Sequence, residues 1–381
     1  MSSLNCLFIV QGEGRGHMTQ ALALRSVLAR AGHRVCSVLV GRNNRRTVPD
    51  FFMRKMKAPV DYVDSPNFVC DHHYRSIRPL ATLLHAARRL PTFRRSLQRI
   101  DAYLRYHRPD VVVNFFEPLG GLYYALYRPA IPMVCIAHQY YFLHPAHRFP
   151  PGHALQREAT LLFARLTALG ATRLLALSLY PVPDAPGTPI TVLPPLLRPD
   201  LLQHPRRPQE PFFLAYLLNS GYARDIIRWH QRHPEQVLHC FWDNRNAGHV
   251  ERYDETLTFH RLDDEKFLAL MARCRGLITT AGFETVSEAM YLGKPVLAVP
   301  VKKHFEQYCN SLDAEAAGAG LAASHFDIDR LVRFLPSYRE PGPAFQQWVR
   351  EGTARFTEAV ERAARQAAFP AVNPLPELAI T

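Results

Sequence analysis

The chain has 381 residues, 48% of them hydrophobic and 21% charged, which is typical of a globular protein large enough for two domains. It contains no run of eighteen apolar residues, which excludes a membrane-spanning helix. Its seven cysteines show no paired spacing, which indicates reduced thiols and argues against a zinc site. The net charge of +13 favours an anionic partner, such as nucleic acid, an anionic membrane face or a polyanionic substrate.

The N-terminal segment predicts a strand, a glycine-rich loop, a helix and a second strand. The apolar run 6–10 has no basic segment before it, so it predicts a first strand, not a signal peptide, and a cytoplasmic protein. The loop Gly12-Glu13-Gly14-Arg15-Gly16-His17 follows, then a helix over about 18–31 and a strand over 35–40.

This glycine loop does not have the pattern of a dinucleotide-binding protein. The NAD fingerprint is G-x-G-x-x-G, whereas the glycines here are spaced G-x-G-x-G. An acidic residue should also close the second strand and bind the adenosine ribose, but Gly41-Arg42-Asn43-Asn44 stands there. The sequence therefore argues against an NAD-dependent enzyme.

A strongly basic stretch runs from Arg75 to Arg108. It holds nine arginines and one acid, Asp101, and its apolar residues follow helical spacing, which predicts one or two amphipathic helices broken near Pro91. Two interpretations stay open: a solvated arginine face over an ordinary core stripe, or a surface that docks on anionic lipid headgroups. Nucleic acid is the weaker candidate because no DNA- or RNA-binding module is present.

Two further parallel strands are predicted over 110–117 and 131–138. Ligands of open α/β sheets bind at the carboxyl ends of the strands, so the polar residues at these ends are candidates for an acceptor site. They are Asn114, Glu117, His138 and Gln139. Neighbouring aromatic residues would line this region with an apolar wall suited to a lipid or an aromatic aglycone. They are Phe115, Phe116, Tyr140, Tyr141 and Phe142.

Proline marks the boundary between two domains. Residues 181–211 contain ten prolines, which excludes a regular helix or a central strand there. We predict an N-terminal Rossmann-like acceptor domain at 1–195, a linker at 196–210 and a C-terminal Rossmann-like donor domain at 211–340. An amphipathic terminal helix and tail follow at 341–381.

The second domain repeats the logic of the first. A strand over 211–218 leads into Asn219, Ser220 and Gly221, which are candidates for phosphate contact ahead of a helix. Strands over 237–242 and 257–260 follow. The alternation of strands and helices predicts an α/β fold with a parallel sheet in each domain.

The most informative stretch is Gly282-Phe283-Glu284-Thr285-Val286-Ser287-Glu288. It follows the apolar run 276–280 and precedes the buried strand pattern of 293–300, so it predicts a glycine turn that opens a helix. A helix N-terminus after a glycine turn binds an anion such as a pyrophosphate. Glu288 falls about one and a half turns into the helix, near that anion but not on it, which suits a ribose diol. A sugar nucleotide fits both features.

These motifs resemble the donor half of GT-B glycosyltransferases. The resemblance rests on 282–288, on 293–300 and on Glu306-Gln307-Tyr308-Cys309-Asn310, and it is closest to glycosyltransferase families 28 and 1, including the lipid-linked N-acetylglucosaminyltransferase type. It covers about 211–325 best and implies two Rossmann-like domains that face each other across a cleft, with the final helix crossing back onto the first domain. In the N-terminal half it rests on the glycine loop and the strand order.

The resemblance also implies roles for individual residues. Glu288 would hold the ribose hydroxyls, Gln307 would contact the sugar, and the backbone around Arg261 and Leu262 would bind the uracil edge. His17 would be a general base or a contact to the leaving group, and the ordinary pKa of histidine suits the first role. The candidate catalytic residues are thus His17 and Glu117. The full set of donor-binding candidates is Gly14, Gly16, Asn219, Ser220, Gly221, Arg261, Leu262, Gly282, Phe283, Glu284, Thr285, Glu288 and Gln307. The acceptor candidates are Glu13, Asn114, His138 and Gln139.

We therefore expect an inverting hexosyltransferase that uses a nucleotide-sugar donor, expected to be a UDP-sugar, and needs no metal or other cofactor. We expect it to act in the cytoplasm or at the inner face of the membrane. One Asp-x-Asp spacing of the kind that binds a metal, Asp327-Ile328-Asp329, lies past the donor motif. Two alternatives stay open. The first is a sugar-nucleotide 2-epimerase, which would need several carboxylates at the donor sugar, whereas the sequence offers only Glu117 and Glu284. The second is a sugar-nucleotide or lipid-binding protein without catalytic activity, in which His17 would have a structural role.

Overall fold

The computed structural model describes residues 3–42, 48–66, 89–202, 208–217, 220–244 and 248–366. They form two compact units. Of the described residues, unit 1 comprises 3–42, 48–66, 89–199 and 348–366, and unit 2 comprises 200–202, 208–217, 220–244 and 248–347. The predicted linker 196–210 contains the boundary between them at residue 199.

Unit 1 is built on a parallel sheet of seven strands within the described residues, in the order β3-β2-β1-β4-β5-β6-β7. Three of its strands, β1, β4 and β5, are apolar runs buried along almost their whole length, as expected for a sheet covered on both faces. The strands are β1 Asn5–Gln11, β2 Arg34–Arg42, β3 Val60–Asp64, β4 Val111–Phe115, β5 Met133–Ala137, β6 Arg173–Leu177 and β7 Ile190–Leu193. The helices are α1 Arg15–Arg30, α2 Asp50–Met56, α3 Leu90–His107, α4 Pro118–Tyr127 and α5 Ala154–Thr167.

The predicted break near Pro91 is the beginning of α3, where proline occupies the first turn and needs no backbone donor. The part of the basic stretch at 75–88, with its predicted helix, lies outside the described residues. Helices α3 and α4 are joined by a hydrogen bond from the Tyr123 hydroxyl to Asp101 at 2.8 Å. The close approach of α4 to α5 requires Gly121, because a Cβ there would lie 2.2 Å from the Leu166 carbonyl oxygen.

Unit 2 contains a second sheet of seven strands in the described part of the chain, in the order β10-β11-β9-β8-β12-β13-β14, with only the edge strand β10 antiparallel to its neighbour. Its strands are β8 Phe212–Leu217, β9 Val237–Trp242, β10 Val250–Arg252, β11 Leu257–Arg261, β12 Gly276–Thr279, β13 Val296–Ala298 and β14 Gly320–Ala322. Its helices, counting the turn at the boundary, are α6 Pro199–Leu202, α7 Ala223–His230, α8 Asp264–Met271, α9 Phe283–Tyr291, α10 Phe305–Ala316 and α11 Ile328–Phe334.

The last helix, α12, spans Gly342–Arg365, close to the predicted bounds. From Trp348 onward it belongs to unit 1, where the Trp348 indole donates to the Ser178 carbonyl at 3.2 Å and His33 pairs with Glu361 at 3.0 Å. Its apolar stripe, with Phe356 and Val360, is buried, so this helix completes the core of unit 1.

Among the described residues, no helix combines the length and the apolar character that crossing a membrane requires. The six described cysteines are free thiols, and the seventh, Cys70, lies outside the described residues. The α/β fold class predicted from the alternation of strands and helices is confirmed.

Candidate active site

Each sheet reverses its strand order at one point, and many of the predicted site residues lie in the loops and helix starts next to that point. In unit 1 the chain moves outward from β1 to β2 and β3, then returns to continue on the other side with β4. In unit 2 the equivalent first strand is β8, and the strand on its other side is β12. Ligands of open α/β sheets bind at the carboxyl ends of strands at such a switch point. The loops after β1, β4, β8 and β12 are therefore the candidate site loops.

The loop after β1 depends on close approach between backbones. The Gly12 N–H donates to the Gly41 carbonyl at 2.9 Å, and a Cβ on Gly12 would lie 2.3 Å from that same oxygen. Only glycine fits at this distance. Gly41 lies at the end of β2, so this contact fixes the loop carrying Glu13, Gly14 and Gly16 beside that strand end.

His17 is the third residue of α1, which Gly14 begins as the N-cap. The ring is buried, with Nδ1 3.3 Å from the Gln20 side-chain oxygen, and it stacks on Phe116 at 5.5 Å between ring centroids. If Nδ1 carries the proton and donates to Gln20, the lone pair lies on Nε2, which is the tautomer that a general base needs. The predicted catalytic histidine is therefore held on two sides.

Phe116 adopts a left-handed backbone conformation, φ 59°, at the turn from β4 into α4. Residues other than glycine rarely adopt this conformation, and it concentrates at functional loops. The turn presents the Phe116 ring to His17 and sets Glu117 as the N-cap of α4.

Glu117 is fully buried, and its carboxyl group ties three chain segments together. Its Oε1 accepts from the Ser65 hydroxyl at 2.6 Å and from the Leu119 N–H at 3.2 Å, while Oε2 lies against Gly41, where a Cβ would approach it to 1.9 Å. Burial raises the pKa of Glu117 to about 8; the nearby Glu13 adds to this, whereas the two hydrogen bonds oppose it. The carboxyl group of Glu117 thus braces these loops, and its predicted catalytic role stays a prediction.

Asn114 is committed to the same turn. It is fully buried, its Oδ1 accepts from the Glu117 N–H at 3.0 Å, and its Nδ2 donates to the carbonyls of Glu117 and Thr167. The amide thus braces the loop, and the acceptor contact of Asn114 stays a prediction.

The two acceptor candidates after β5 begin a 3-10 helix, His138–Leu143. Both side chains are buried, and the Gln139 Oε1 has no hydrogen-bond partner among the described residues. An unpaired buried amide oxygen fits a polar ligand group. Two of the aromatic residues predicted as a lining contact each other, Phe116 and Tyr140, at 5.5 Å between ring centroids. The others pack on rings outside this set: Phe115 on Phe8, Tyr141 on His144 and Phe142 on Phe149.

In unit 2 the loop after β8 is only partly described. Asn219 lies outside the described residues, and of Ser220 only the backbone is described, in the 3-10 turn Ser220–Tyr222 that includes Gly221. This turn leads directly into α7, as the predicted strand, small polar loop and helix require.

The loop after β12 matches the predicted glycine turn. Gly282 is the N-cap of α9 with an extended backbone, and no side chain caps the helix. Its first turn contains Phe283, Glu284 and Thr285. Among the described residues, a Cβ on Gly282 would meet only the Thr285 hydroxyl, at 3.9 Å, so a side chain has room at this position. Glu288 is buried on the same helix, at 3% exposure.

Two of the predicted donor contacts are engaged within the protein. The Arg261 N–H donates to the His249 carbonyl at 3.1 Å, while Leu262 follows directly in the loop after β11. The Gln307 Oε1 accepts from the Val301 N–H at 2.9 Å and so braces the loop between β13 and α10. The donor contacts of all three residues stay predictions.

The Asp-x-Asp spacing serves the fold of unit 2. Asp327 is the N-cap of α11 and accepts from the Arg330 N–H, and Asp329 accepts from the Trp229 indole at 2.9 Å and pairs with His233 at 3.0 Å. Both carboxylates therefore have structural tasks.

Sequence reasoning assigned no role to four residues that shape these loops. They are Gly41, Ser65, Ala281 and Asn310. The short side chains of the first three give no local signal, because their importance comes from contacts with residues far away in the chain. Asn310 stood within the quoted motif, and this was the signal that could have identified it.

The structural likeness to solved glycosyltransferases extends over nearly the whole chain. The calicheamicin glycosyltransferase CalG4 has a TM-score of 0.62 at 18% identity, over 97% of this chain and 100% of that chain. Arabidopsis thaliana UGT89C1, solved with quercetin, has a TM-score of 0.62 at 16% identity, over 95% and 100%. Acinetobacter baumannii MurG has a TM-score of 0.54 at 14% identity, over 95% and 100%. At these identities the likeness shows the fold, which is GT-B.

No curated protein matches the sequence significantly. The model of the family described as Glycosyl transferase family 1 matches residues 4–338, which is most of the chain. The predicted resemblance and the GT-B fold are confirmed, as is the prediction that the chain is an enzyme of this type. The chain belongs to Glycosyl transferase family 1 and is a glycosyltransferase.

Proposed function

We propose that this glycosyltransferase is inverting and metal-independent, and that it transfers a hexose from a UDP-sugar to a hydroxyl group on an aromatic or lipid-like acceptor. Unit 2 would bind the donor. The proposal joins the sequence motif of 282–288 to the geometry of the loop after β12.

The donor assignment depends on a difference between the N-cap residues of α4 in unit 1 and α9 in unit 2. Both have the same turn beyond the switch point: a strand, a left-handed residue, an N-cap and a helix. In unit 1 the Glu117 carboxyl accepts from the Leu119 N–H and fills the position at the N-terminus of α4. In unit 2 the N-cap is Gly282, and no side chain caps α9. An anion bound at the N-terminus of α9 would accept hydrogen bonds from backbone N–H groups, as the Glu117 carboxyl does at the N-terminus of α4.

The diphosphate would then bind at the N-terminus of α9, with Gly221 and its neighbours supplying further N–H groups from the loop after β8. Glu288, about one and a half turns along α9, would accept from the ribose hydroxyls. Negative charge that develops on the leaving diphosphate is stabilised by these preorganised donors.

His17 would act as the base in unit 1. Its Nε2 would take the proton from the acceptor hydroxyl, while the acceptor oxygen forms a bond to the anomeric carbon and the bond to the diphosphate oxygen breaks. The products are the glycosylated acceptor, UDP and a protonated histidine that returns its proton to solvent. A single displacement of this kind inverts the anomeric configuration.

Two observations support the acceptor class. Gln139 has a buried, unpaired amide oxygen among the described residues, and its surroundings at the carboxyl ends of β4 and β5 are aromatic. UGT89C1, which shares the fold, was solved with quercetin, an aromatic polyol. His138 and Glu13 stay acceptor candidates on position alone.

The function is tested by incubating the protein with several UDP-sugars and measuring UDP release, with and without aromatic alcohols and extracted lipids. Transfer, identified by mass spectrometry of the product and its anomeric configuration, supports the proposal. Interconversion of the donor sugar would instead identify the 2-epimerase, and saturable binding without turnover would identify a silent binding protein.

The catalytic role of His17 is tested by replacing it with alanine. Because a base acts on the proton and not on the donor, we expect kcat to fall about a hundredfold or more while the affinity for UDP changes little. The replacement His107→Ala, in α3, is the control and should leave both unchanged. Equal losses of turnover and UDP affinity would contradict the role.

We also propose that the protein binds the anionic inner face of a membrane through the outer side of α3, α4 and α5. Large apolar side chains are exposed there, including Leu155 at 82% and Leu162 at 59% on α5 and Leu126 on α4. Exposed arginines lie on the same helices or at their ends: Arg94 and Arg95 on α3, Arg128 at the C-cap of α4 and Arg157 on α5. Apolar groups flanked by cations suit an anionic lipid surface.

Cosedimentation with vesicles tests this surface. We expect more binding to vesicles of phosphatidylcholine with phosphatidylglycerol than to phosphatidylcholine alone, a loss of binding at high salt, and weaker binding of the double variant Leu155→Ser, Leu162→Ser. Equal sedimentation with both vesicles would remove the membrane proposal and leave the enzymatic one intact.

A further inference from the structure

The turn from β12 into α9 contains a left-handed residue that is not glycine. Ala281 has φ 55° and is fully buried. Among the described residues, the other non-glycine residues with positive φ fall into two groups. Lys57, Arg108 and Arg128 are helix C-caps, where this conformation is common. Phe116 and Lys303, like Ala281, lie in loops instead.

The left-handed conformation is disfavoured for alanine. Its Cβ approaches the following carbonyl oxygen, so the conformation is less populated than the right-handed one by a factor of about five to thirty. Glycine has no such restriction. A neighbouring contact must therefore hold Ala281 in place.

Asn310 provides this contact. It lies on α10, it is buried, and its Nδ2 donates to the Ala281 carbonyl oxygen at 3.3 Å across 29 positions of sequence. The start of α10 is itself fixed, because His304 caps it and the Gln307 Oε1 accepts from the Val301 N–H. The amide of Asn310 is thus presented to the turn from a braced helix.

In unit 1 an asparagine amide also holds the equivalent turn, but there the asparagine lies close to the turn in the sequence. Phe116 is the left-handed residue there, and Asn114, only two residues earlier, bonds to both the N–H and the carbonyl of Glu117. In both units an asparagine amide fixes the turn beyond the switch point. In unit 2, where the N-cap Gly282 has no side chain to hold the turn, the asparagine comes from another helix.

We propose that Asn310 is a positioning residue for the donor: by holding Ala281 in the left-handed conformation, it fixes the direction in which the N–H groups of 282–285 point. This inference rests on the proposed function, in which those groups bind the donor diphosphate. Asn310 itself has no contact with the donor in this scheme.

The test is a double-mutant cycle with four proteins: wild type, Asn310→Ala, Ala281→Gly and the double variant. The affinity for UDP is measured by calorimetry, and the thermal unfolding midpoint of each ligand-free protein is recorded. We expect Asn310→Ala to weaken UDP binding about tenfold, which is the scale of the conformational preference. Ala281→Gly alone should change it little.

The double variant decides between positioning and direct contact. Because glycine adopts the left-handed conformation freely, the double variant should regain most of the lost affinity. Ser311→Ala is the matched control: Ser311 is buried next to Asn310, and its hydroxyl bonds within the helix to the Tyr308 carbonyl, so UDP affinity should not change. If Asn310→Ala does not fold, Asn310→Leu, which keeps the volume without the donor, takes its place in the cycle.

Wild-type affinity in a folded Asn310 variant would overturn the inference. The same loss of affinity with alanine and with glycine at position 281 would overturn it too, because it would indicate direct contact between Asn310 and UDP. Either result leaves the donor assignment standing. A wild-type protein that does not bind UDP would overturn the proposed donor, and the inference with it.

Discussion

At the scale of single residues, the site is governed by what each side chain is able to contact. Glu117 and Glu288 are both buried glutamates, one at the switch point of each unit, yet their surroundings differ. The Glu117 carboxyl is enclosed by Ser65, Gly41 and the first turn of α4, so it braces loops. Glu288 is buried on α9, whose N-cap is Gly282, and the partner that we propose for it is a ribose.

Replacing Glu288 with alanine should weaken UDP binding by about tenfold or more, because the ribose hydroxyls would lose charge-assisted hydrogen bonds. Calorimetric titration with UDP measures the change. The matched control is Ser287→Ala on the same helix, where the hydroxyl bonds to the Phe283 carbonyl. Unchanged affinity in Glu288→Ala would remove the ribose assignment.

Glu117 should make stability depend on pH. Its pKa is raised from the ordinary 4.5 to about 8 in the folded protein, so between these values the folded state binds a proton that the unfolded state has lost. The free energy of unfolding should therefore decrease as pH rises from about 4.5 to about 8, relative to its value at lower pH.

Urea unfolding of wild type and Glu117→Gln across that pH window measures this effect. Glutamine is close in shape to the protonated acid and does not titrate, so the difference in stability between the two proteins should shift against the wild type as pH rises. Parallel pH profiles would show that Glu117 titrates normally in the folded protein.

At the scale of elements, the two helices beyond the switch points differ in their first residue. Glu117 caps α4 with its own carboxyl, whereas Gly282 leaves α9 without a side-chain cap. The same turn thus serves as an internal brace in unit 1, and in unit 2 it is the position that we propose for the donor diphosphate. The difference between the two turns comes from their N-cap residues, Glu117 in unit 1 and Gly282 in unit 2.

Replacing Gly282 with aspartate should make α9 resemble α4. Aspartate is a good N-cap and a Cβ has room here, so the unfolding midpoint should rise or stay level. The new carboxylate would repel the diphosphate, and UDP affinity should fall about tenfold or more. The matched control is Gly282→Asn, because asparagine caps the helix without the charge. A Gly282→Asp protein that binds UDP like Gly282→Asn would contradict the anion position.

At the scale of the whole molecule, the chain returns to its first unit at the end. Helix α12 begins at Gly342, and from Trp348 it contributes to the core of unit 1. Gly352 packs against the Pro194 ring, where a Cβ would approach to 1.9 Å. The stability of unit 1 therefore depends on residues at the far end of the sequence.

Truncating Phe356, which is 2% exposed, to alanine should lower the free energy of unfolding by about 3–5 kcal/mol, because it leaves a cavity in this core. Denaturant unfolding measures the loss. The exposed neighbour Glu358, changed to alanine, should alter stability by less than about 0.5 kcal/mol. A similarly small effect for Phe356→Ala would mean that α12 is not part of the cooperative core.

Sequence patterns were sufficient to predict the α/β class, the first two strands of each unit and the glycine turn at Gly282, whereas strands such as β6 and β14 were not predicted. The predicted features depend on apolar periodicity and on turn residues within a few positions of one another, so a local pattern contains the information. Burial of Glu117 depends on Ser65, 52 positions away, and the fixing of Ala281 depends on Asn310, 29 positions away. These contacts are visible only in the folded chain, because folding determines which partners surround a polar group and so whether it is available to a substrate.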